Sequence, residues 1–151
     1  ETLKNQFENA SEDIRLRFED KREILDSTGL NPYQALTECF SCSEISLTIV
    51  DTKNIPVGMF GVSEDGAIWL LATPDIKRIR FSFLRESRKV VNLLNHKYKI
   101  LWNFVDCRNE LHLRWLKWCG FKFLRKINYG VNQKPFYEFI KLCVYHHKSH
   151  S

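Results

Sequence analysis

The sequence predicts a mixed α/β domain: a mostly antiparallel central sheet with a splayed parallel pair and helices on both faces. Three observations lead there. Residues 45–50, 57–62 and 67–72 read as strands separated by turn residues. Ile79, Phe83, Val90, Leu94 and Tyr98 then mark one long helical stripe. Another strand, 100–105, follows at once, and strands flanking a helix pair in parallel through a right-handed crossover. The chain has 151 residues, the length of one domain, so 1–151 is read as one unit.

Each element has a local cause. Ser11 with Glu12 and Asp13 predicts a helix start, a capping hydroxyl with acids at the positive dipole end. Ile14, Phe18 and Leu25 fit one face of that helix, and Gly29 stops it. Asn31 and Pro32 open a second helix, because proline at the first helical position loses no needed N–H; it carries Leu36 and ends near Phe40. Ile45, Leu47 and Ile49 alternate with Ser46, Thr48 and Val50. Residues 51–56 form a turn, and 63–66, Ser-Glu-Asp-Gly, a hairpin turn. The strand 67–72 is apolar on both faces, which predicts a central position. A last hairpin joins 121–127 to 136–144 around 128–135, and 146–151 is expected to be a flexible tail whose histidines are solvated.

Composition narrows the function classes. Hydrophobic residues make up 44% and aromatics 13%, enough for a well-filled core. No apolar run is long enough to span a bilayer, and the polar, acidic first residues do not read as a secretory signal. Five cysteines without such a signal suit reduced thiols in a cytosolic setting. Cys39 and Cys42 form a CxxC, but no second pair stands at zinc-ligand spacing, so no metal site is expected. The net charge of +5 is unevenly placed: residues 1–30 hold five Lys/Arg and eight Asp/Glu, whereas 77–99 hold eight Lys/Arg and one acid. That polarity favours an anionic partner, with a solvated helix face as the alternative. Nucleic acid is disfavoured, because no aromatic–basic pattern extends beyond that helix.

The most informative stretch is 109–121, NELHLRWLKWCGF. Asn109 suits a helix N-cap, Leu111, Trp115 and Trp118 recur at helical spacing, and Gly120 suits the helix end. The Asn-to-Gly-Phe frame resembles the acyl-CoA-binding second half of GNAT-type N-acetyltransferases. His112 stands at the family's small position and Leu116 at its Tyr position. Over 101–121, with PFYEF in the final hairpin, the chain also resembles a GNAT-like family of short-tailed bacteriophages, often labelled internal virion or acyltransferase-like proteins. This implies a phage protein made in the host bacterial cytoplasm, associated with virion assembly or host interaction, and touching phage or host proteins.

The resemblance also implies a site, which the residues meet unevenly. The CoA pyrophosphate would lie at the start of the long helix, where glycines let backbone N–H groups approach. Residues 75–83, DIKRIRFSF, contain no glycine, so Lys77, Arg78 and Arg80 would have to hold phosphate through side chains. An oxyanion N–H would come from the strand near Leu71 and Ala72. Leu116 cannot donate a proton; Asp106 and His112 are candidate bases, each also readable as a structural residue. Asn109 is either a helix cap or a contact to CoA. The expectation is therefore a GNAT fold with degenerate catalytic motifs acting through protein contacts, with acetyl-CoA-dependent N-acyl transfer as the alternative. Any bound anion should lie between the start of the long helix and the Asn109 helix, near Arg78, Arg80 and Asn109.

Overall fold

The computed structural model describes residues 15–143. Along the chain run α1 (Phe18–Thr28), α2 (Pro32–Cys42), β1 (Ser43–Val50), β2 (Pro56–Ser63) and β3 (Ile68–Ala72). A 3-10 helix (Pro74–Ile79) then leads into α3 (Arg80–Lys97), followed by β4 (Ile100–Asp106), α4 (Glu110–Trp118), β5 (Lys122–Tyr129) and β6 (Lys134–Leu142). The element order follows the sequence reading. The Ser11 cap, Ile14 and the tail lie outside the described residues.

The sheet is not the single mixed sheet expected. Two antiparallel three-stranded sheets form, in the orders β1-β2-β3 and β4-β6-β5. The expected parallel pair does not form a ladder: β3 and β4 meet at one parallel bridge, Ala67 with Trp102. Gly66 makes that junction. Its carbonyl accepts from the Trp102 N–H at 3.1 Å, its φ is +88°, and an added Cβ would lie 2.1 Å from the Ile100 oxygen. Beyond the bridge the Asn103 side chain donates to the Ile68 carbonyl at 2.9 Å, taking the acceptor a backbone rung would use. Apolar side chains then keep the strands apart around a cavity of about 200 Å³.

The doubly apolar strand is likewise at the edge of its sheet, and β2 is central. The apolarity of β3 reflects cover on both faces. Phe60, Val62, Ile68 and Leu70 pack with Phe83, Val91 and Leu94 of α3, whereas Met59 and Leu71 pack with Ile24 of α1 and Leu36 of α2. Helices therefore cover both faces of the first sheet, as expected.

Three helix details differ from expectation. The long helix starts at Arg80, behind the 3-10 helix, and its buried stripe uses Phe83, Ser87, Val91 and Leu94, with Val90 only half-buried. In α1, Phe18 and Leu25 are exposed. The buried face of α1 carries Asp20, Ile24 and Asp26, so polar contacts rather than an apolar stripe orient it. In α4, Trp115 is in the core, but Trp118 is 42% exposed, its indole donating to the Leu84 carbonyl at 2.8 Å. Asn31 and Gln34 form a reciprocal capping box at the start of α2. All five cysteines are free.

Candidate functional site

The end of β3 is where the site candidates converge. The Ala72 N–H and carbonyl point away from β2 and are both taken by α1 and the residue before it. The N–H donates to Asp20 Oδ2 at 2.8 Å, and the carbonyl accepts from the Arg17 N–H at 2.8 Å. The backbone donor that an oxyanion would need therefore already has a carboxylate on it. Leu71 lies beside it, facing the α1–α2 core.

Asp20 belongs to a buried ion network. Its Oδ1 accepts from Arg17 at 2.9 Å and from the Asn109 side-chain amide at 2.9 Å. His112 Nε2 lies 3.1 Å from the same oxygen, but its N–H is not directed along that line, so the contact is an ion pair. His112 Nδ1 lies 3.5 Å from Glu23 Oε2. Glu23 Oε1 accepts from the Asp106 N–H at 2.6 Å. Asp106 is held in turn by Arg108, which also reaches Asp26.

Burial alone would push the Asp20 carboxyl up, but His112, Asn109 and Arg17 together hold it below the usual range. Burial pushes Glu23 up to about 7, against the attraction of His112 and with the repulsion of Asp20. For His112, burial disfavours the charged ring, yet Asp20 and Glu23 outweigh it and raise the pKa above its ordinary value. The two carboxyl groups thus favour the charged form of the ring.

Ligand atoms of Asp20, Glu23 and His112 lie within 4.8 Å of one another, a spacing a metal could span. Asp20 already has an N–H donor on each oxygen, and Glu23 has donors on both. Arg17 and His112 supply the positive charge. The donor set fits an ion network better than a metal site.

Asn109 stands at the residue before α4 but does not cap it with its side chain. Its Oδ1 accepts from Arg17 at 3.2 Å and its amide donates to Asp20 and Glu23. The cap reading is corrected for a physical reason: the Arg17 guanidinium occupies the Oδ1 that would accept from the first helical N–H groups, and the carboxylates hold the amide turned toward α1. Leu116, at the family's Tyr position, is 1% exposed in the main core.

A second feature opens beside the network. A cleft of about 620 Å³ lies between α1, the start of α3 and α4. Lys77 and Arg80 line it from one side, Arg108 and Arg114 from the other, and Arg17 and Arg22 from α1. Arg78 is not among its lining residues and pairs with Asp75 at 2.5 Å. Leu71, Ala72, Asp106, Asn109 and His112 do not line it either. The candidates therefore divide: Lys77 and Arg80 face the cleft, while Ala72, Asp106, Asn109 and His112 join the network behind it. Sequence reasoning missed Arg17, Asp20 and Glu23. The one available signal was charge recurring at 17, 20 and 23, a helical spacing on the side away from Phe18 and Leu25.

Known proteins share the family and the fold. A family model described as bacteriophage T7 probable scaffold protein Gp13 matches residues 47–127, more than half of the chain. No curated protein matches it. Among solved structures, a dodecameric spermidine N-acetyltransferase from Vibrio cholerae is 10% identical, with a TM-score of 0.59, covering 92% of this chain and 87% of that one. A GNAT-family acetyltransferase from Streptococcus pneumoniae is 15% identical, with a TM-score of 0.54, over 76% of this chain and 75% of that one. At such identities the likeness establishes a GNAT-like fold and nothing about activity.

Proposed function

This chain belongs to the family of the bacteriophage T7 probable scaffold protein Gp13, and we propose that it acts by protein contact in virion morphogenesis, on a GNAT-like fold whose acyl-transfer position is closed. The observation that carries this reading is the filled edge of Ala72, with Asp20 on its N–H and Arg17 on its carbonyl. A carbonyl oxygen developing negative charge there would meet a carboxylate instead of a donor, which raises its energy. The start of the long helix adds to this. Thr73 accepts from the Asp75 N–H, the Arg80 N–H is bonded to the Lys77 carbonyl, and residues 75–83 hold no glycine that would let the backbone approach a pyrophosphate closely. Among the described residues no helix is long and apolar enough to cross a membrane, and the work is assigned to the host bacterial cytoplasm, during assembly, with a phage protein as partner.

A second reading, an acetyl-CoA-dependent N-acyltransferase, has two observations in its favour. The cleft holds Lys77 and Arg80 where side chains could meet phosphate. Tyr129, its hydroxyl pushed up by burial, lines the cavity between the splayed strands and could serve as a proton donor.

Calorimetry with acetyl-CoA, followed by an assay for released CoA with polyamine and lysine acceptors, separates the two. The protein-contact reading expects no turnover, and loss of assembled particles when the gene is removed. Steady turnover that disappears in the Tyr129→Phe variant would put the enzyme reading first.

A further inference from the structure

We propose that the open cleft takes an acidic, amphipathic segment of a partner protein, with apolar side chains on the cleft floor and carboxylates on its rim. The proposal rests on the protein-contact reading and names the chemistry of the contact. The floor is apolar: Leu84 of α3 and Leu111 of α4 line it, with Phe18, which is 67% exposed at the mouth. An exposed phenylalanine over a cleft of about 620 Å³ leaves apolar surface that a partner side chain would cover.

The rim is cationic, and its charges are weakly answered from within. Arg22, Lys77 and Arg80 have no carboxylate within ion-pair distance among the described residues, and Arg22 and Arg80 instead lie over the rings of Phe18 and Phe81 at 5.2 Å and 4.9 Å. Arg114 is only 3.9 Å from Glu110 with both side chains exposed, a contact of little strength. Glu19 and Glu110 are the acids of the lining.

Two features favour a peptide over a phosphate group. The helix start, residues 75–83, has no glycine to bring backbone N–H groups close to a phosphate. The guanidinium forks would pair with carboxylate or phosphate alike, but the apolar floor of Leu84, Leu111 and Phe18 is covered only by a ligand that carries apolar side chains between its charges.

The test uses fluorescence anisotropy with a labelled synthetic helix of Glu, Leu and Ala, about four turns long. Binding is expected, and Arg80→Glu and Arg114→Glu should each weaken it about tenfold, while Lys126→Glu on β5 should change it less than about twofold. All three substitutions are at exposed positions, and unchanged thermal midpoints would establish that folding is intact. Phe18→Ser should weaken binding without removing a charge. A peptide with Ser in place of Leu that bound equally well would overturn the proposal, since simple charge attraction would then suffice. Tighter displacement by oligothymidylate or by acetyl-CoA would overturn it in favour of those ligands. Failure of the Glu/Leu peptide to bind, with acetyl-CoA turnover still absent, would sink this proposal alone. Acetyl-CoA turnover would sink the protein-contact reading whatever the peptide does.

Discussion

The two sides of α1 have opposite fates. Toward β3, the polar groups at the strand end have partners inside the protein: Asp20 and Arg17 for Ala72, three charged groups for Asn109, and the charge of two carboxyl groups for His112. Toward α3 and α4, an apolar floor and three cations without a carboxylate partner among the described residues line an open cleft. In a GNAT-like frame the first side is where acyl chemistry would occur and the second is where an anion would sit. The difference teaches that chemistry and anion contact can part company on one fold. On the proposed reading, a short helix that inserts a carboxylate at one strand end closes the first without closing the second.

The largest effect should come from breaking the closed side. Asp20→Ala removes one partner from Arg17, Asn109, His112 and Ala72 at once and leaves buried charge uncompensated. Urea denaturation should register a loss of about 3–5 kcal/mol. A change below about 1 kcal/mol would mean the network does not hold α1 in solution.

Gly130 probes the same side through the backbone. The β5–β6 turn seats on the end of α1, where an added Cβ at Gly130 would lie 2.4 Å from the Ser27 Cα. Its φ of +79° adds strain for any other residue. Gly130→Ala should cost about 1–3 kcal/mol in the same measurement, with the damage confined to α1 and the turn in amide exchange.

The network should also give stability a characteristic pH dependence. Glu23 titrates near 7 in the folded protein against its usual 4.5, so the folded state holds that proton more tightly. Its contribution is complete below 4.5 and fades as pH rises through about 7. His112, raised above 6.5, acts in the same direction and loses its contribution as pH rises past its folded value. Asp20, lowered, loses its contribution only in acid, below 3.8. The thermal midpoint should therefore fall as pH rises from 4.5 through about 7, and fall further as His112 loses its proton, and His112→Gln should flatten that slope. An equal slope in the variant would place the titration elsewhere.

The smallest stability effect belongs to the open side. Arg80→Ala should change stability by no more than about 0.5 kcal/mol, as at other exposed positions. It should nonetheless weaken binding of any anion in the cleft, whereas Arg78→Ala, outside the lining and paired with Asp75, should not.

What the sequence reveals divides along the same line. Strand alternation, the long helical stripe and the Asn-to-Gly-Phe frame are local, so the element order and GNAT-like class are legible. The closed side is not, because its partners are far apart in sequence: Asp20 and Ala72 by 52 residues, Arg17 and Asn109 by 92. Hydrophobic periodicity puts Phe18 and Leu25 of α1 inward, but its buried face is built from Asp20, Ile24 and Asp26. Asn109 is legible as a helix-start residue by type, while its side-chain partners depend on where α1 docks. A splay between β3 and β4 is expected from the sequence, but its extent is not: one parallel bridge remains, and the Asn103 side chain occupies the Ile68 carbonyl where a backbone rung would form.

The central claim is that Asp20 holds the Ala72 N–H in the resting protein, and amide hydrogen exchange at Ala72 tests it most directly. The account predicts that Ala72 is as protected as the core amides of β2, that acetyl-CoA adds no protection, and that Asp20→Ala releases it. Rapid exchange at Ala72 in the wild-type protein, slowed on adding acetyl-CoA, would mean that the position is open to an acyl group and would contradict the account.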